Sequence, residues 1–283
     1  MRICTFLLLF ALDSTLVQAA THKEKLKPEE VIARHLQSIG PADARSSINT
    51  RIISGTSYVV FRTEPMGQAY GRAVLASDGL KNLIGMSFNS PVYPREQFGF
   101  NGSSFSSAFV TPGVRSSLGS FLMNHDLVFK HGLMGGTLST SWSLLDTAVR
   151  QPKLEYIGVK KIEHRSLHEL RYMPRGGSDL SISIFFDEEN FRHVRTEYRR
   201  VIAANLGNRT YGNVEERESR YKMIEEFANF SAEQQLTLPH TYTITLTVDA
   251  QGTTFSAEWQ LKLTQFTFNQ KIDPTSFSIN TTE

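Results

Sequence analysis

Near its C-terminus the chain reads Phe255-Ser-Ala-Glu-Trp-Gln-Leu-Lys-Leu-Thr-Gln-Phe-Thr-Phe268. Phe255, Ala257, Trp259, Leu261 and Leu263 alternate with mostly polar residues, the period of two of a strand with one apolar face. The phase then slips, and Phe266 and Phe268 fall on the other face. Either a bulge restores the phase or both faces of the sheet are covered. A gently curved sheet with one bare face needs neither, so the slip predicts a strongly bent sheet.

Working outward, Tyr242, Ile244, Leu246 and Val248 after Pro239 oppose Thr241, Thr243, Thr245 and Thr247, and Ala250-Gln251-Gly252 turns this strand into the last one. Leu180, Ile182, Ile184 and Phe186 share a face, with Ser181 and Ser183 on the other. Further strands are predicted at Ile52–Ile53, Tyr58–Phe61, Ala69–Leu75, Leu83–Phe88, Gln97–Phe100, Phe105–Val110, Leu154–Glu163, His168–Met173, Phe191–Ile202 and Tyr221–Phe230. Turns at Asp78-Gly79, Asn101-Gly102 and Gly176-Gly177-Ser178-Asp179 join neighbouring strands as antiparallel hairpins.

Helices are few. Pro28-Glu29-Glu30 opens one, with Val31, Ile32, His35, Leu36 and Ile39 at helical spacing before Gly40. A second is predicted from Pro41 to Ser47. Between Thr111 and Gly136, Val114, Leu118, Phe121, Leu122 and Leu127 recur at helical spacing and lead into Gly132-Leu133-Met134-Gly135-Gly136. This segment reads as a surface helix and loop, or as a lid in which glycines hinge an apolar flap carrying Leu133 and Met134.

At the N-terminus, Met1-Arg2, the apolar run Ile3–Leu12 and Val17-Gln18-Ala19 have the order of a cleavable export leader. The expected organisation is a leader over 1–19 and one β domain over 20–283, with 111–150 as a lid or insertion. Cys4 is the sole cysteine, so the exported chain would have no disulfide. The formal charge of +2 drives binding to neither nucleic acid nor acidic membrane.

No HExxH, Walker loop, GxSxG or CxxC is present. His164 and His168 flank a predicted turn, where a spacing of four has no ligating meaning, so no metal is expected. His125-Asp126 and His131 beside the lid read as polar loop residues. The pairs Glu215-Glu216 and Glu225-Glu226 are adjacent; on strands they point to opposite faces and read as solvated charges. No catalytic residue and no cofactor is expected. The 19 phenylalanines are core, or the wall of a lipophilic cavity.

Three stretches carry a resemblance. Phe100-Asn-Gly-Ser-Ser-Phe-Ser-Ser-Ala-Phe-Val-Thr-Pro112 resembles the DG-x-x-x-W/F…P segment of LolA-like proteins. Leu180-Ser-Ile-Ser-Ile-Phe-Phe-Asp-Glu-Glu-Asn-Phe191 resembles their apolar hairpin. Phe266-Thr-Phe-Asn-Gln-Lys-Ile-Asp-Pro-Thr-Ser-Phe277 is similar to their N-x-x-I-D-x-x-x-F close. The resemblance to this LolA/LolB/LppX-like superfamily implies an α+β fold: a strongly bent, unclosed antiparallel half-barrel whose concave face is covered by helices. It also implies a periplasmic carrier or sensor of lipids or acylated proteins. Its cavity wall would be Phe61, Phe105, Phe185, Trp259 and Phe268, with Leu36 and Leu122 on the covering helices. The carriers' arginine beside a proline has no counterpart in Ala76-Ser77-Asp78-Gly79-Leu80, so the resemblance does not by itself imply acyl-protein handover in the strict sense. The resulting expectation is a monomeric carrier of a lipid or acyl chain. The alternatives are a sensor acting through an envelope protein and a secreted hydrolase without a recognisable motif.

Overall fold

The computed structural model describes residues 26–63, 67–203, 218–250 and 252–280; the expected leader lies outside them. Two helices, α1 (Pro28–Ile39) and α2 (Ala42–Ser47), precede a meander of β1 (Thr50–Phe61), β2 (Gly67–Asp78), β3 (Lys81–Phe88), β4 (Arg95–Phe100) and β5 (Phe105–Ser107). A helical stretch with α3 (Ser117–Asn124), α4 (Leu127–Lys130) and α5 (Thr147–Arg150) follows. A second meander then runs through β6 (Lys153–Ile162), β7 (Arg165–Met173), β8 (Ser181–Asp187), β9 (His193–Ile202), β10 (Ser219–Glu233), β11 (Leu236–Ala250) and β12 (Thr253–Phe268). Among the described residues no helix is long and apolar enough to cross a membrane.

The strands form one 12-stranded sheet in the order β5-β4-β3-β2-β1-β12-β11-β10-β9-β8-β7-β6. The antiparallel pairing of β1 with β12 welds the two meanders together. The edges β5 and β6 do not pair with each other, so the sheet is unclosed. Helix α1 touches both β11 and β6. On a flat sheet those strands would lie roughly 24 Å apart, whereas a helix with its side chains is about 10–12 Å across. The sheet must therefore curl around α1.

The phase slip is a bulge. Ser54 pairs with Gln265 and Gly55 with Leu263, leaving Thr264 as the extra residue. Phe266 and Phe268 thereby return to the face of Trp259, Leu261 and Leu263. Gly55 lacks a Cβ for a concrete reason: one would run into the Lys262 backbone.

Three expectations need correction. The strand from Phe105 stops at Ser107. The β6–β7 turn is Glu163-His164, both at positive φ, two residues earlier than predicted. Pro239 lies inside β11 and pairs with Phe230, instead of preceding the strand. Proline fits there because β12 joins β11 only from Thr241 onward, which leaves Pro239 on a locally free edge.

Candidate functional site

The connection from β5 to β6 must travel from one edge of the sheet to the other, and it does so through the concavity. Its apolar side chains are driven inward: Leu118, Phe121, Leu122, Val128, Phe129, Leu133, Met134, Leu138, Trp142 and Leu144 are all buried in the main core. Leu133 and Met134, the apolar residues of the expected lid, are fully buried. The segment fills the concavity as a plug.

The plug is held mainly by side chains of the sheet and α1 acting on its backbone. Asn82 Nδ2 donates to the Met134 carbonyl at 3.1 Å, and the Gly135 N–H donates to Glu225 Oε1 at 2.8 Å. Arg51 Nη1 donates to the Thr137 carbonyl at 2.5 Å, and the Thr140 N–H donates to Ser77 Oγ at 2.9 Å. Side-chain pairs add to these, among them Trp142 Nε1 to His35 Nε2 at 3.0 Å and Ser143 Oγ to Tyr172 OH at 2.7 Å.

The expected cavity wall divides. Phe61 meets Tyr93 edge-on at 5.0 Å and Trp259 at 6.5 Å between ring centroids. Trp259 is fully buried, and its indole N–H donates to Tyr93 OH at 2.8 Å. Phe105 packs against Phe129 of the plug at 4.7 Å, and Leu122 faces the same interior from α3. Phe268 sits across from Arg51 at the far end of β1. Leu36 is only partly buried and lines a groove of about 640 Å³ between α1 and α2, beside Gly40 and Arg45. Phe185 is a correction. It belongs to a separate cluster with Leu167 and Val194 and so cannot share a wall with Trp259. Its neighbours Ile184 and Phe186 point into the main core, so alternation alone puts Phe185 on the outer face.

Several buried polar groups escaped the sequence reading. Glu225 and Glu226 do point to opposite faces, but Glu225 is fully buried where a solvated charge was expected. Its carboxyl accepts from Tyr198 OH and Tyr242 OH, each at 2.6 Å, besides Gly135. Burial pushes it up to about 7. Glu96 is likewise pushed up by burial to about 7, and Tyr93 donates to it. His125 pairs with Asp179 at 3.4 Å, and His131 meets Tyr172 OH at 3.2 Å. Among the described residues no group of three or more His, Cys, Asp or Glu side chains could hold a metal ion. A wider signal for Glu225 was in the sequence: it shares the face of Met223 and Phe227, both apolar.

No protein-family model matches the chain, and no curated protein sequence matches it. Among solved structures it is similar in architecture to a LolA superfamily protein from Nitrosomonas europaea, with 8% identity over 90% of this chain and 98% of that one and a TM-score of 0.45. A DUF1329 family protein from Desulfovibrio piger matches at 8% identity over 89% and 98% of the two chains, with a TM-score of 0.41. An outer membrane lipoprotein-sorting protein domain from Vibrio parahaemolyticus matches at 12% identity over 87% and 97%, with a TM-score of 0.37.

Proposed function

We propose that this LolA-like chain is an exported, non-catalytic binding protein that takes a lipid or acyl chain into the concave face of its sheet. The ligand occupies the space now filled by the plug. The observation that carries this reading is how the plug is held. Leu133, Met134 and Leu138 lie among inward-facing Ile and Phe side chains, yet the Met134–Ser143 stretch forms no strand pairing with the sheet. Withdrawing it exposes an apolar, aromatic-lined trough while breaking a handful of hydrogen bonds, each contributing about 1 kcal/mol net. An acyl chain restores the buried apolar area at about 25 cal/mol per Å².

Native mass spectrometry of protein purified from its own cell envelope tests this directly: a co-purified lipid mass is expected. Saturable binding of a fluorescent fatty-acyl probe, lost on adding a disulfide that pins the plug to the sheet, is the companion result. Absence of both would remove the carrier reading. N-terminal sequencing of the exported protein should find Ala20 or Thr21 first.

A second reading, a sensor that acts through a protein partner, rests on the outer face. There Tyr70 is 61% exposed and stacks on Tyr58 at 4.6 Å. Loss of a stable complex in Tyr70→Ser, with acyl binding unchanged, would favour it.

A further inference from the structure

Arg51 opens the inward-facing row of β1, flanked in the sheet by Ser77 of β2 and Phe268 of β12. It is 2% exposed. Among the described residues its guanidinium makes a single hydrogen bond, to the Thr137 carbonyl, and Nε is buried without a partner. Thr137 Oγ1, on the same plug residue, is also buried without a partner. The buried acids are committed elsewhere: Glu225 to Tyr198, Tyr242 and Gly135, Glu96 to Tyr93, Glu197 to Arg195 and Arg199, and Glu169 to Ser183.

A guanidinium presents five N–H donors and stays charged at neutral pH, since burial lowers it only to about 10. Removing such a cation from water is unfavourable unless an anion accompanies it. A carbonyl or a water satisfies a donor but leaves the charge uncancelled. An oxyanion does both, and its oxygens match the planar fork of arginine. Beside this polar point the surface turns apolar at once, with Ile53 next on the inward row and Phe268 across the strand.

We infer that Arg51 forms the receptor for the anionic head of the ligand, so that the chain selects amphiphiles ending in a carboxylate or a phosphate. The head replaces the Thr137 carbonyl on Arg51 and so releases one of the plug's anchors as the tail enters the trough. The tail's place rests on the function proposed above; the anion site at Arg51 does not.

The test is competition binding to the full exported chain with four probes: palmitate, a palmitoyl lysophosphatidate, methyl palmitate and inorganic phosphate. Either anionic lipid should bind at least about tenfold tighter than the methyl ester, as expected for charge-assisted hydrogen bonds. The tighter of the two identifies the head as carboxylate or phosphate. Arg51→Gln should bring both down to the level of the ester, and Arg51→Lys should restore part of the difference. Equal affinity for acid and ester in the parent would overturn the inference even if Arg51→Gln failed to fold, as would a preference that survives in Arg51→Gln. Arg51-dependent binding of inorganic phosphate with no lipid bound would uphold the anion site and remove the lipid reading. Binding of none of the four would remove both.

Discussion

The indole N–H of Trp142 donates to Nε2 of His35 at 3.0 Å, while Nδ1 of the same ring lies 3.1 Å from the Phe191 carbonyl. A carbonyl only accepts, so Nδ1 carries the proton and Nε2 offers its lone pair to the tryptophan. His35 is thus a neutral strut that ties α1 to the plug on one side and to the β8–β9 turn on the other. Trp142 also stacks on His193, at 4.6 Å between centroids and 15° between planes.

Burial holds His35 at about 4, below its ordinary 6.5, and also holds His193 well below 6.5. At His35 the unfolded chain therefore binds more protons than the folded one between pH 6.5 and 4. The stability contribution of His35 is complete above pH 6.5 and is lost as pH falls toward 4, by on the order of 3 kcal/mol. Urea unfolding across pH 4–7 should show this slope, and it should be shallower in His35→Gln. An unchanged slope would mean that His35 is not neutral in the fold.

Glu225 has the opposite sign. Its folded value of about 7 lies above the ordinary 4.5, so its contribution is complete below pH 4.5 and lost as pH rises through 7. Glu225→Gln should therefore gain stability relative to the parent between pH 5 and pH 8, by roughly 2–3 kcal/mol. Parallel unfolding curves at the two pH values would rule this out.

Gly136 has φ +48°, and a Cβ there would lie 2.6 Å from His193 Nδ1 and 3.0 Å from Phe227 Cζ. Gly136→Ala combines left-handed backbone strain with a clash and should cost about 2–3 kcal/mol. Hydrogen exchange should report where. The Gly135 amide, bonded to Glu225, should exchange faster in the variant, while amides of Thr241–Val248 keep their protection.

Trp259 and Phe185 provide a matched pair. Trp259 packs in the main core beneath Phe61 and Tyr93, whereas Phe185 belongs to the outer cluster. Trp259→Ala should lose about 3–5 kcal/mol and weaken acyl binding. Phe185→Ala should lose stability and leave acyl affinity unchanged. Weakened binding by both variants would mean that the ligand does not use the concave face.

The antiparallel meander was legible in the sequence because alternation is a local property. Tyr242, Ile244, Leu246 and Ile182, Ile184, Phe186 announce their buried face within a few residues, and turn residues announce the hairpins. The slip before Phe266 announced a bulge or a doubly covered sheet, and Thr264 shows which. Pro239 was misread because proline marks a missing donor, and only the neighbouring strand's starting point shows whether that donor was needed. For Phe185 the alternation with Ile184 and Phe186 marks the outer face, against the cavity position the resemblance implies.

By itself the sequence determined most of the strand segments, which face of each is apolar, and where helices interrupt the meander. The tertiary structure alone decided that 118–144 fills the concavity, that Glu225 loses its water and that Arg51 has no counter-charge among the described residues. The physical reason is range. Periodicity depends on residues two to four apart, whereas desolvation and charge compensation depend on what the fold brings against a face from 86 or 90 residues away, as Thr137 is brought to Arg51 and Gly135 to Glu225.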